Sequence, residues 1–132
     1  VYNRPQNIFV AQFIGNPIIN IIEGHYADGQ FISDSLHIRI TMDKVLSPHK
    51  VKYVGFRPDC ISIDPAGNYT AKIDHLEYIG HETTLFLRLN GEQLRARVSG
   101  DTSYKNGDTV KFALNDPDVL FFDKEQNILL LQ

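Results

Sequence analysis

The dipeptide Asn90-Gly91 constrains this chain more than any other feature. It lies inside YTAKIDHLEYIGHETTLFLRLNGEQLRARV, residues 69–98, with alternating residues on both sides. Asn and Gly both tolerate positive φ, which a two-residue type I′ hairpin loop needs at its two central positions. Closing the loop there sets Leu89 opposite Glu92, Leu87 opposite Leu94, Leu85 opposite Ala96 and Thr83 opposite Val98. The other face then pairs Arg88 with Gln93, Phe86 with Arg95 and Thr84 with Arg97. One face is mostly apolar and the other mostly polar, as a half-buried antiparallel pair requires. A slip of one residue would mix the faces, so the register is well specified. Upstream, Tyr69 to Ile79 reads as a third strand. Ala71 and Ile73 share one phase while Leu76 and Tyr78 share the other, which predicts a bulge near Asp74-His75. Gly80 turns the chain into Thr83, and the three strands form a meander.

The rest of the chain must cover or close that meander. Pro5 to Asn20 reads as a helix and its stop. Asn7 caps it, Phe9, Val10, Phe13 and Ile14 share a face, Gly15 offers a C-cap and Pro17 blocks continuation. The phenylalanine stripe must be buried, either on the chain's own barrel or on another domain. Short strands are expected at Ile18 to Glu23, Phe31-Ile32, Leu36 to Ile40, Val51 to Phe56, Thr109 to Leu114, Val119 to Phe122 and Ile128 to Leu131. Turns are expected at Ala27 to Gly29, Asp64 to Asn68 and Asn115 to Asp118, a helical turn over Thr41 to Leu46, and a corner or short helix from Arg57-Pro58-Asp59. Many short strands at near-regular spacing indicate an all-β barrel or sandwich. A mild division at Pro58 to Asn68 separates two runs of strands, read as halves of one barrel.

At 132 residues the chain suits one compact domain, and its net charge of −3 disfavours a nucleic-acid binder, which needs a basic face for phosphates. Phe86, Arg88, Arg95 and Arg97 form the one candidate partner face; a solvated sheet face is the plainer reading. Cys60 is the only cysteine, so no internal disulfide forms, and a reducing cytoplasm fits. Ile61 and Ile63 follow it, which suits a small buried hydrophobe better than a reactive thiol. No run is long enough for a membrane helix. Val1-Tyr2-Asn3-Arg4-Pro5 reads as the interior of a longer polypeptide, so a fragment is expected.

Reaction chemistry finds no foothold. The chain has no G-x-x-x-x-G-K-[ST] phosphate loop. His25, His37, His49, His75 and His81 show no zinc-site spacing, and the pair flanking the Tyr78-Ile79-Gly80 bend reads as surface histidines. Asp43, Asp59, Asp64, Asp116 and Asp118 fall at turns, where Asp commonly stabilises the backbone. Ser33, Ser35 and Ser99 have no adjacent base. Catalytic, cofactor and metal residues are therefore expected to be absent from this stretch.

Four segments, in order, resemble one family. Pro5-x-Asn7-x-Phe9-Val10-Ala11-x-Phe13-Ile14-Gly15-x-Pro17-x-x-Asn20 resembles the segment that leaves the ATP-binding domain in maltose-type carbohydrate-importing ABC transporter ATPases. Gly55-Phe56-Arg57-Pro58-Asp59-Cys60-Ile61 resembles the G-[IV]-R-P-E-x-[IL] element of their C-terminal region, with Phe56 and Asp59 as departures. Glu77-Tyr78-Ile79-Gly80-His81-Glu82-Thr83 resembles the E-x-x-G-x-E-T turn. Gly107-Asp108-Thr109-Val110, with Leu114, Asp118 and Leu120 to Asp123, resembles the closing G-[ED]-x-V…L…[LF]-F-D segment. The likeness runs from Pro5 to the end. Residues 27–49 and 100–106 depart from the pattern, and these are the places where contact with a regulator or small ligand is expected.

The resemblance implies an OB-type barrel of short antiparallel strands, the transport-associated (TOBE-type) domain, with one short N-terminal helix. Residues 1–20 would be the end of an ATPase domain and its hinge, with Asn7, Phe9, Phe13, Gly15, Pro17 and Asn20 at the interdomain contact. Residues 21–132 would be the regulatory domain, with Gly55, Arg57, Pro58, Gly80, Asn90 and Gly91 at structural turns. The implied role is regulation and dimerisation in the ATP-binding subunit of an importer for sugars or related solutes. ATP and Mg would belong to the parent subunit, whose ATPase domain lies upstream in the same chain. The implied partners are a second subunit, the transporter's membrane subunits and a regulatory protein, without nucleic acid, at the cytoplasmic face of the membrane. The competing reading is a free-standing OB-type barrel that binds an oligonucleotide, an oligosaccharide or a small anion.

Overall fold

A computed structural model describes residues 19–36, 38–99, 103–115 and 119–131, apart from the side chain of Ile79. The expected helix, with Asn7, Phe9, Phe13, Gly15 and Pro17, lies outside the described residues, as do His37 and most of the turn at 115–118. The described residues form ten strands: β1 (Asn20–Ala27), β2 (Gln30–Ser33), β3 (Arg39–Thr41), β4 (Val51–Phe56), β5 (Ile61–Ile63), β6 (Tyr69–Ile79), β7 (Glu82–Leu89), β8 (Glu92–Ser99), β9 (Thr109–Leu114) and β10 (Leu120–Asp123). Two 3-10 turns, Pro48–Lys50 and Pro58–Cys60, join some of them. All pairings are antiparallel.

The β7–β8 hairpin adopts the register read from the sequence, from Leu89 opposite Glu92 to Thr83 opposite Val98. Asn90 and Gly91 take φ of 49° and 82°, the left-handed pair a type I′ loop demands. The β6–β7 register shifts between Ile73 and His75, so the expected bulge is present and Asp74 is its extra residue. A second loop of the same kind joins β1 to β2, where Asp28 and Gly29 take φ of 51° and 79° and Ala27 pairs with Gln30.

The chain divides into two compact units near the expected position, but the division separates two five-stranded sheets rather than two halves of one. The first unit joins residues 19–57 to residues 119–131 and has strand order β10-β4-β1-β2-β3. Its ends are brought together by the last segment: Ile128 bridges Phe122, while Leu131 bridges Val45 just beyond β3. The second unit has order β5-β9-β6-β7-β8, and its edge strands β5 and β8 lie against each other. Both circuits run the same way. A three-strand meander is followed by a fourth strand that pairs with the first (β4 on β1, β9 on β6) and a fifth that pairs with the fourth (β10 on β4, β5 on β9). In the first unit the fifth strand is last in the chain; in the second it is first. Each is an OB-type arrangement of short antiparallel strands, and closure leaves little exposed edge.

The apolar faces fill the two interiors. Ile22, Phe31, Ile38 and Val54 are buried in the first unit, and Ile73, Leu85, Leu87 and Phe112 in the second. Each such side chain gains roughly 1.5–3 kcal/mol by leaving water. Cys60 is buried, as its neighbours suggested.

Several boundaries differ from expectation. Asn20, buried and opposite Phe56, opens β1 inside the strand expected at Ile18 to Glu23, and that strand runs on to Ala27. Gly55 is not at a turn. It lies within β4, where a Cβ would come 2.8 Å from Ile19 Cδ1 and 3.1 Å from Phe122. The helical turn expected at Thr41 to Leu46 is instead the end of β3, a turn and a bridge at Val45, because Met42 and Val45 are buried and Val45 pairs with Leu131. Leu36 lies in a turn whose amide donates to Ser33 Oγ at 2.7 Å, which shortens the third strand to Arg39–Thr41. Ile128 to Leu131 makes isolated bridges rather than a ladder. Strand β5, too short to show alternation, was not foreseen.

Candidate partner face

The four residues singled out as a partner face stand on the outer side of β7 and β8, and the structure brings them together with β6. The bulge turns Asp74 toward this face. Arg88 Nε donates to Asp74 Oδ2 at 2.7 Å, Arg88 Nη1 donates to the Gly91 carbonyl at 3.1 Å, and Gln93 Nε2 donates to the same Asp74 oxygen at 3.3 Å. The Arg88 hydrogen bond is the main cause that holds the Asp74 carboxyl below its ordinary range, and Gln93 adds to it.

Beside this group the His75 ring stacks on Phe86, with centroids 4.1 Å apart and planes 11° from parallel. The Arg95 guanidinium carbon lies 5.3 Å from the centroid of the same ring. These neighbours explain why Phe86, on the outward face, is only 7% exposed. A cation over an aromatic ring is attracted by the ring's negative face.

Arg97 makes a third group. Its Nε lies 3.3 Å from Glu82 Oε2 and its Nη1 lies 3.3 Å from Asp59 Oδ1. One side chain thus ties the 3-10 turn Pro58–Cys60 to the start of β7, where β5 and β8 meet. Asp59 belongs to the Gly55-to-Ile61 element and Glu82 to the Glu77-to-Thr83 turn. Arg97 therefore joins in space two stretches that the sequence singled out separately.

Of the turn residues, Pro58 opens its 3-10 turn directly after Arg57, and Gly80 takes φ of 63° at the β6–β7 connection. The acidic partners Asp59, Asp74 and Glu82 were not foreseen as members of this face. Asp74 stood at the predicted bulge and Glu82 in a quoted motif, but Asp59 is 38 positions from Arg97 and no local pattern links them. The first unit carries smaller pairs: His25 Nδ1 with Asp34 Oδ1 at 2.9 Å, and Lys52 Nζ with Glu23 Oε2 at 2.7 Å. The Glu23 hydrogen bond raises the Lys52 ammonium above its usual range. Among the described residues no group of three or more His, Cys, Asp or Glu side chains is placed to hold a metal.

Arg88 and Arg97 are thus engaged by carboxylates of their own unit, and Arg95 borders a ring already stacked by His75. A basic stripe in the sequence has become a charge-compensated surface with an aromatic centre. Such a face suits contact with a partner more than capture of a polyanion, which needs uncompensated cations.

Residues 54–122 match the family model described as "TOBE domain". That span runs from β4 to β10 and includes the whole second unit. Among curated proteins, the chain is 33% identical over 138 residues to an uncharacterized ABC transporter ATP-binding protein, YcjV, of Escherichia coli O157:H7, covering 98% of this chain and 38% of that protein. It is 34% identical over 139 residues to the multiple sugar-binding transport ATP-binding protein MsmK of Streptococcus mutans, covering 95% and 37%. A third relative, the uncharacterized ABC transporter ATP-binding protein YurJ of Bacillus subtilis, is 29% identical over 142 residues, covering 95% and 38%. The chain therefore spans less than two fifths of the length of these relatives.

Proposed function

The chain belongs to the TOBE domain family, and on that premise we propose that it is the C-terminal regulatory region of the ATP-binding subunit of an ABC importer for sugars or related solutes. The observation that carries the reading is continuity. Almost the whole chain aligns with part of proteins named as ABC transporter ATP-binding proteins, one of them for multiple-sugar transport. In this reading an ATPase domain precedes residue 20 in the same polypeptide and carries the ATP and Mg chemistry. This region performs none, in keeping with a sequence that has no phosphate loop.

The region's work is then mechanical. It holds two ATP-binding subunits together while their catalytic parts open and close, and it offers a surface to a regulatory protein. Residues 5–20 serve as the interdomain hinge. The parent subunit sits at the cytoplasmic face of the membrane through the transporter's membrane subunits; among the described residues no helix is long and apolar enough to cross a membrane. The charge-compensated face built around Phe86 supports a protein-contact role over oligonucleotide binding.

The test is a pair of assays. The purified chain, incubated with Mg-ATP, is expected to release no phosphate above background. The parent subunit cut after residue 19 is expected to keep ATP turnover and lose its coupling to solute uptake in reconstituted vesicles. Turnover by the isolated chain at an ordinary enzymatic rate, about 1 s⁻¹ or more, or unchanged coupling in the truncated parent, contradicts the proposal.

A further inference from the structure

Residues 58–117 form a unit that the chain enters and leaves at one place. The Asn115 amide donates to the Cys60 carbonyl at 2.7 Å, and Ile61 pairs with Leu114. In the other unit, Gly55 near the end of β4 pairs with Leu120 at the start of β10. Strands β4 and β10 are thus a hairpin whose connection is an entire barrel.

That arrangement has a thermodynamic consequence. Closing a hairpin across an unstructured connection has an entropic cost that grows as the logarithm of its length, with a coefficient of about 3/2 RT. When the inserted unit is folded, its ends are tied, and the connection behaves as a loop of about eight residues, 56–59 and 116–119, rather than about 60. The ratio favours closure of β4 on β10 by roughly 20-fold. We propose that the inserted barrel is a clasp: its folding closes the other barrel by holding the two ends of the β4–β10 connection together. Because such coupling is reciprocal, closure of the first unit favours the folded clasp by the same factor. Any event that opens residues 58–117 therefore loosens β10, the strand that completes the first unit, whether or not side chains pass between them.

Hydrogen exchange on the full 132-residue chain tests this, read at the amides of β10 and of β7. The double variant Gly67→Val/Leu87→Asp places a side chain against Phe112 backbone and a charge in the core, and so unfolds the clasp. Protection in β10 is expected to fall by roughly 20-fold while β1 and β2 remain protected. A flexible Gly/Ser spacer of about 20 residues after Arg57 leaves both cores intact and is expected to lower β10 protection roughly sixfold. The same spacer placed in the Asn90-Gly91 loop leaves the clasp's ends tied and should leave β10 unchanged. Unchanged β10 protection with the spacer after Arg57 overturns the proposal. So does collapse of the whole first unit in the double variant, which would assign the coupling to direct packing.

Discussion

Gly67→Ala is the substitution whose cost the structure states most directly. Gly67 lies in the turn between β5 and β6, where its amide donates to the Asp64 carbonyl at 2.8 Å. A Cβ built there would lie 2.3 Å from the Phe112 carbonyl carbon, 2.4 Å from its oxygen and 2.7 Å from its nitrogen. Ordinary contact begins at 3.4 Å, so turn and strand would have to separate by about an ångström. The obstacle is backbone in the middle of a ladder: Phe112 pairs with both Ile63 and Tyr69. No rotamer change relieves it. The cost therefore falls at the top of the overpacking range, about 3 kcal/mol. For a unit of this size that corresponds to a fall of roughly 15 °C in the melting temperature. Gly91→Ala is the control, since its Cβ meets nothing within 4 Å and only the φ of 82° resists it. That strain costs about 1 kcal/mol, or roughly 5 °C. Both sites lie in the same unit, so thermal unfolding followed by circular dichroism compares them on one transition. Equal shifts, or a larger one at Gly91, would refute the contact-based reasoning.

Three further outcomes follow from the same geometry. Gly91→Val should lower stability by about 1–3 kcal/mol, because a β-branched residue resists positive φ; an unchanged denaturant midpoint would mean that the hairpin register is wrong. Arg97→Ala removes both carboxylate contacts and should cost about 1 kcal/mol, since the ion pairs are partly solvated; the loss should shrink in high salt, and a salt-independent loss would point to packing instead. Asp74 has a folded pKa below its unfolded one, so its stabilisation is present above the ordinary carboxylate range and is lost as pH falls through the lowered value. Asp74→Asn should therefore be less stable than the parent at neutral pH and match it in strong acid, as measured by urea titration; a difference that persists in acid would exclude the charge as its source.

The sequence was most legible where the determinants are local. Asn90-Gly91 fixes a loop, period-two alternation fixes two faces, and together they set the seven cross-strand pairs from Thr83–Val98 to Leu89–Glu92. The phase change around Asp74 marked the bulge for the same reason. Elements closed by distant partners were not legible. Val45 is held extended by Leu131, and β10 finds β4 across an inserted unit, neither of which leaves a mark in local periodicity. The same holds for the candidate face. Arg88, Phe86, Arg95 and Arg97 can be placed on one side of a hairpin by counting, but the carboxylates that engage Arg88 and Arg97 come from a bulge, a neighbouring strand and a remote 3-10 turn. Charge compensation is a property of the assembled barrel, and it changes a basic stripe into a charge-balanced one.

The central claim is that this chain is the regulatory end of a transport ATP-binding subunit. Its most direct test is the intact mass and partial sequence of the polypeptide as it occurs in its source. The account predicts a species of about 40 kDa, since this 15.0 kDa chain covers 38% of a matching relative, with a phosphate loop upstream of Val1. A natural polypeptide that begins near Val1 and carries no phosphate loop would contradict it.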